Sequence, residues 1–468
     1  VTIGFSSIHG NRQQALYCRL IETQTGAPLK STFMATEITG RLVSKKPPFM
    51  PFPWRLHLGF LLACLSANYA NAQTTFTWEQ IRDKFKQTNP TLLADAVNID
   101  EARAQEITAY LRPNPNLSLF ADQFTVFKTP NTPYRPLSGV DEGGSISYLH
   151  ERQHKRELRR EAAQEGTSIA TSTHADLERN LLYTLRTAFV NALQAKAFFE
   201  IAKQDLDYWD KEIAISRDRL KAGDLAKVDL DRILLQRAQY QSDFITAQVN
   251  LRTAKIALLM LLNDRTPVDR FDIAGPYDFT NSLQPLEEFR QTAMDSRPDL
   301  KAAVETVVQA KTNNKLAIAN GTSDPTFGFD IGRNPPLPSY LGFNVSFDLR
   351  IFDKNQGEKL RTKLDIDRAD KARTAAEAQV LSDVDTAYAT ISSTLDLLRP
   401  YKEEYLPQSA EVRDIVTFSY QHGGASLLDF LDAQQAYRQT QIAYVNLIQS
   451  YLSAAGQLNL AVGREVIQ

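Results

Sequence analysis

From Thr326 to Gly332, apolar Phe327, Phe329 and Ile331 alternate with Thr326, Gly328, Asp330 and Gly332. From Gly342 to Leu349, Phe343, Val345, Phe347 and Leu349 alternate with Asn344, Ser346 and Asp348. Ser145–Leu149 and Asn116–Asp122 repeat the pattern more weakly. A period of two predicts strands with one apolar and one polar face. Such faces suit either hairpins on a soluble core or a barrel with lipid outside and water inside.

The period changes to that of a helix over Lys155–Leu220, which has no proline and only Gly166 as a breaker. At 1.5 Å per residue, a helix of this length reaches roughly 100 Å. Lys354–Gln421 repeats the pattern, interrupted at Arg399-Pro400. Leu177, Leu181, Leu185, Ala188 and Ala192 form a narrow stripe, as do Val380, Val384, Ala387 and Ile391. Narrow stripes rich in small residues predict coiled-coil seams between long helices rather than a thick core.

The chain contains an internal duplication. Pro90, Leu92, Ala102 and Arg103 recur as Pro298, Leu300, Ala310 and Lys311. Thr187-Ala188-Phe189 recurs as Thr386-Ala387-Tyr388, and Gly223 and Asp229 as Gly423 and Asp429. Each half reads as a helix, two short strands and a long helical stretch broken by a glycine turn. The expected halves are residues 73–280 and 281–468.

Residues 50–72 read as a secretory signal peptide: basic Arg55, an apolar stretch from Leu56 to Ala67, and Ala70-Asn71-Ala72 before Gln73. That stretch is too short to span a bilayer, and no other apolar run reads as a membrane-spanning helix. Residues 1–49 are expected to be an upstream extension, the start lying at Met50 or Met34. A second reading takes Leu61-Leu62-Ala63-Cys64 as a lipid-attachment motif, which Leu62 fits poorly. The chain has two cysteines, Cys18 and Cys64, so removal of 1–72 leaves none. An exported chain without disulfides relies on packing or assembly. Residues 1–72 carry seven basic and two acidic residues of totals of 53 and 55, leaving 46 and 53, a net charge of −7. Nothing in this balance points to nucleic acid.

His150-Glu151-Arg152-Gln153-His154 matches H-E-x-x-H, the zinc-protease pattern. That chemistry needs both histidines on one helical face. Here His150 ends a predicted strand and His154 starts a helix, no third ligand stands out, and the run Arg152, Lys155, Arg156, Arg159 and Arg160 opposes a divalent cation. The plainer reading is a polar, basic collar where strands give way to helices. No catalytic residue, metal or cofactor is expected.

Four strands leave two open edges, which lipid does not tolerate, and closure needs about eight strands or more. Several copies are therefore expected to share one wall. The signal peptide, the duplicated units, the long helices and the glycine tips together resemble the TolC-like outer-membrane efflux family. "HERQHKRELR" resembles a segment of its heavy-metal efflux members. The resemblance implies a mainly α fold with a small β part: a trimeric, 12-stranded outer-membrane β-barrel continued by a long periplasmic α-helical barrel. It implies a homotrimer in outer-membrane lipid, docked on a periplasmic adaptor and an inner-membrane pump of the RND type. The alternatives are a soluble periplasmic coiled-coil adaptor, for which no lipoyl-like β segment is visible, and a zinc hydrolase.

The most specific local match is "YQHGGASLLDFLDAQQAY", similar to the family's periplasmic tip. Asp429 and Asp432 share a helical face, and threefold symmetry would make a ring of six carboxylates, a filter and a gate for cations. The resemblance further implies a tether from Asp229 to Tyr420 and a basic residue; Ala425 stands at the basic position, so the tether is expected to be weaker or made by another residue, and Arg232 stands where the second half has Asp432. Gly223, Asp224, Gly423 and Gly424 are the expected hairpin tips and adaptor contacts.

Overall fold

The computed structural model describes residues 74–467, apart from 125, 126, 128, 129, 131–138 and 281. The expected signal peptide, the upstream extension and both cysteines lie outside the described residues. Strand β1 (Thr74–Phe76) leads into α1 (Trp78–Thr88) and α2 (Pro90–Tyr110). Strands β2 (Asn116–Asp122) and β3 (Asp141–Leu149) follow, then α3 (Lys155–Ala222), α4 (Lys227–Leu261), a 3₁₀ turn at Val268–Arg270 and β4 (Phe271–Ile273). The order then recurs: α5 (Leu286–Ser296), α6 (Pro298–Ala319), β5 (Thr326–Arg333), β6 (Tyr340–Ser346), α7 (Gln356–Pro400), α8 (Leu406–Gln421) and α9 (Leu427–Val462).

Local chemistry explains the boundaries. Pro90 and Pro298 open α2 and α6 at the first helical position, where the missing amide hydrogen costs nothing. The Asn89 side chain accepts a hydrogen bond from Leu92 N and caps α2. Helix α3 runs unbroken for 68 residues, roughly 100 Å. Its counterpart is broken: Pro400 removes a donor, and Tyr401–Tyr405 pass through a π-helical turn before α8.

The strands form one antiparallel sheet in the order β2-β3-β5-β6. Its register lines up Leu117, Ile146, Phe329 and Phe343 in one row across all four strands. Leu119, Ile331 and Leu341 lie in a parallel row, and Phe327 faces Val345. All of these side chains are exposed. The opposite face carries Ser118, Ser145, Ser147, Asp330 and Asn344, with Asn344 Nδ2 donating to Asp330 Oδ1 at 3.2 Å. Alternation did not foretell β1 and β4, which pair in parallel. Three residues each are too few to show a period, and both Phe271 and Ile273 are buried.

Three apolar clusters hold the helices. One joins Ile81 and Phe85 of α1 to Leu185 and Phe189 of α3, Leu258 of α4 and strand β4. A second packs Val380, Val384, Ala387 and Ile391 of α7 against Tyr451, Leu452 and Leu458 of α9 and Phe289 of α5. The α7 stripe is thus buried, while in the α3 stripe Leu185 and Ala192 are buried and Leu177, Leu181 and Ala188 only partly so; the seams are not uniform, because the short helices α1 and α5 thicken the packing midway. The third lies near the helix turns, where Trp209 and Ile213 of α3, Ile233 and Tyr240 of α4, Tyr420 of α8, and Leu427 and Phe430 of α9 meet.

Helix α4 contains the one stretch among the described residues long and apolar enough to cross a bilayer, with mean hydropathy 1.2. The sequence pattern had given no such helix. Only 22% of the stretch is buried, and exposed Val228, Leu235, Val249 and Ile256 recur at multiples of seven. Heptad spacing suits a neighbouring helix better than lipid.

Trp209 is 1% exposed and joins both hairpins. Removing a buried tryptophan side chain costs about 3–5 kcal/mol. Trp209→Ala is therefore expected to lower the midpoint of thermal unfolding, followed by helical circular dichroism in detergent. An unchanged midpoint would show that this cluster does not hold the hairpins.

Candidate functional site

The two helical hairpins, α3–α4 and α8–α9, each turn through a glycine. Gly223 has φ +88° and Gly423 φ +78°. A Cβ at either would meet nothing within 4 Å, so the left-handed backbone and not lack of space favours glycine. The turns close alike: Asp224 N donates to Arg219 O at 2.9 Å and Gly424 N to Ser419 O at 2.7 Å. Gly223, Asp224, Gly423 and Gly424 are all exposed.

Asp429 sits in the first turn of α9 and folds back on the residue that caps it. Its Oδ2 accepts from Ser426 Oγ at 2.7 Å and Ser426 N at 3.0 Å, while Asp429 N donates to Ser426 Oγ at 3.2 Å. This is a capping box with aspartate in the usual glutamate place. The serine hydroxyl, and then its amide, hold the Asp429 carboxyl below the usual carboxylate range. Asp432, one turn on, is exposed and among the described residues pairs with no cation. The two carboxylates thus differ in role: one is fixed to its own helix and the other is free.

The expected Asp229–Tyr420 tether is not made as a hydrogen bond. Asp229 has Arg232 of its own helix nearby, with Oδ1 3.8 Å from Nη1. The Tyr420 ring stacks on Phe430 at 4.7 Å, and the Arg219 guanidinium lies 5.1 Å from its centre. Its hydroxyl is buried without a hydrogen-bond partner among the described residues, and that burial pushes it above its ordinary range. Ala425 supplies no basic group and instead packs against the apolar cluster.

Other polar residues at the tips escaped sequence reasoning. Glu212 and Ser216 of α3 are buried, with Glu212 Oε1 and Ser216 Oγ unpartnered among the described residues. Arg438 of α9 lies between two carboxylates, 2.5 Å from Asp243 of α4 and 3.1 Å from Asp205 of α3. The only signal for Arg438 was a lone cation in the amide-rich run Gln434–Gln441.

The H-E-x-x-H segment forms no metal site. His150 follows β3, and Gln153 and His154 both have positive φ, so the five residues do not lie on a helix. Glu151, the would-be base, is bound by Arg159 at 2.5 and 2.8 Å. No group of three or more candidate metal-binding side chains occurs among the described residues. The basic run instead ties the two halves together. Lys155 donates to Asp324 at 2.6 Å and to Thr322 O at 2.7 Å, and Arg152 donates to Ser323 O. Arg156 and Arg160 lie over Tyr110 at 4.3 and 4.7 Å.

The amphipathic sheet with open edges, continued by long helical hairpins, has the fold of outer-membrane channels of known structure. Residues 289–464 match the model of the outer membrane efflux protein family. The chain is 22% identical over 434 residues to the cobalt-zinc-cadmium resistance protein CzcC of Cupriavidus metallidurans, covering 87% of this chain and 99% of that protein. Among solved structures, CusC superposes with a TM-score of 0.70 at 17% identity, covering 85% of this chain and 94% of that one. The outer membrane protein VceC of Vibrio cholerae gives 0.66 at 17% identity, covering 83% and 96%.

The capping box makes a local prediction. An N-cap serine is worth about 1 kcal/mol, roughly fivefold in local opening. Ser426→Ala is expected to speed amide hydrogen exchange over Leu427–Phe430 by about that factor. Unchanged exchange would mean that Asp429 is not engaged as a cap.

Proposed function

We infer that this chain is the outer-membrane channel of a tripartite efflux system. It conducts passively what an inner-membrane pump delivers through a periplasmic adaptor. The observation that carries this is the apolar band across all four strands, exposed on one face and backed by a polar face. A soluble adaptor has no use for such a band, whereas lipid outside and water inside require it. The open edges at β2 and β6 demand further copies. Three copies would supply twelve strands, and the exposed heptad positions of α4 would supply seams between neighbouring helices.

Cations are the proposed cargo class, with divalent heavy-metal ions first among them. The likeness to CzcC supports this reading, as does the exposed carboxylate of Asp432. In a threefold ring, Asp432 would present three free carboxylates at the tip and Asp429 three more already engaged by serine. Fixed negative charge around a narrow path attracts cations. The exposed glycine turns at Gly223 and Gly423 are the proposed adaptor contacts.

In planar bilayers, Asp432→Ala is expected to reduce cation selectivity and the block by multivalent cations. Asp429→Ala is expected to do so less, because its charge is shared with Ser426. Wild-type selectivity in the double variant would remove the carboxylate ring from the account.

A further inference from the structure

About three turns into α9, above the glycine turns, Arg438 reaches out of its own hairpin. Its Nη2 donates to Asp243 Oδ2 of α4 at 2.5 Å. Its Nε stands 3.1 Å from Asp205 Oδ2 of α3, but both atoms are buried and the angle falls short of a hydrogen bond. The guanidinium also lies 4.5 Å over the Tyr240 ring. One cation thus serves two carboxylates and a ring from the opposite hairpin, and Tyr208 Oη beside it accepts from Gln434 Nε2 at 2.9 Å. Where the tether was expected, Arg219 of α3 lies over the Tyr420 ring, but among the described residues no ion pair joins the hairpins at Asp229, Tyr420 or Ala425.

We propose that the Asp205–Arg438–Asp243 cluster is the restraint that keeps α9 against the α3–α4 hairpin, and that acid tightens it. The inference rests on the channel reading, since only in a channel does release of α9 open a path. Two carboxylates and one guanidinium leave one negative charge poorly compensated. Burial is the largest influence on Asp205 and pushes it up to about 6, against the opposing pull of Arg438. The neighbours that set this balance are Asp243 and Tyr240 on α4, Tyr208 on α3, Arg413 and Asp414 on α8, and Tyr437 on α9. Arg413 is itself engaged by Asp414 at 2.7 Å and lies over Tyr437 at 4.0 Å, so its charge is only partly available to Asp205.

The sign follows from linkage. With the cluster formed, as in this structure, Asp205 takes up a proton as pH falls through about 6; once released to water, it would do so only near the ordinary value of about 3.9. The state with the cluster formed, which we take as the closed one, therefore binds more protons across that window, and acid favours it. Between about pH 7 and about pH 5, the closed-to-open ratio is expected to rise roughly tenfold.

Single-channel recording of the purified protein tests this. Arg438→Ala should raise conductance severalfold at neutral pH, and Asp205→Asn with Asp243→Asn should do the same by a second route. Asp205→Asn alone mimics the protonated acid, so it should stay closed and lose the pH dependence that the wild type shows in this window. Helical circular dichroism and the size of the assembly in detergent establish that each variant is folded. A folded Arg438→Ala channel that conducts like the wild type overturns the restraint. A wild type indifferent to pH across the window overturns the acid effect. A wild type that forms no channel overturns the functional reading itself, and this inference with it.

Discussion

The sheet sets the terms for everything else in this molecule. Four antiparallel strands present a continuous row of exposed leucine, isoleucine, valine and phenylalanine on one face. In water that row would be a large liability for aggregation. In lipid it is stable, but only if no strand edge is left with unpaired amides and carbonyls. Strands β2 and β6 both have such an edge. Their needs are complementary: the free edge of one copy is the natural partner of the free edge of the next. Closure is thus a property of the assembly, and the long helices inherit its symmetry.

On the channel reading, the rest of the fold carries that ring away from the membrane. Lys155 and Arg152 bind the turn before β5, so the first long helix starts from a junction fixed by both halves. The clusters of α1 with α3 and of α5 with α7 and α9 stiffen the middle of the helices. Beyond them the packing thins to the single cluster around Trp209 and Phe430, and buried polar atoms without partners collect there. A region of low local stability is where a movable element belongs. A buried charge cluster such as that at Arg438 is costly to break by halves, since removing one partner strands the others. That makes it suited to hold one of two discrete arrangements.

Much of this was legible in the sequence because it depends on repetition. Alternation at Phe327, Phe329 and Ile331 located a strand and its exposed apolar side. The duplication of Pro90 and Gly223 as Pro298 and Gly423 located the hairpins and their order. Strands β1 and β4 were invisible because three residues show no period. The tip chemistry was legible only as residue types. That Asp429 would turn back on Ser426, and that Asp229 would lie by Arg232 with no hydrogen bond to Tyr420, depends on side-chain reach and competition. Spacing does not report either. Arg438 was missed for the same reason: its partners are roughly 200 residues away.

Shared closure of the sheet is the claim on which the account stands, and cross-linking tests it most directly. The described residues contain no cysteine, so one cysteine introduced along β2 and one along β6 would be the only thiols in a chain processed at Gln73. Oxidation of outer membranes carrying this variant should link chains in twos and threes, with three as the largest product. Membranes in which the protein stays a single chain under oxidation, although fully folded, would contradict a wall built from shared edges.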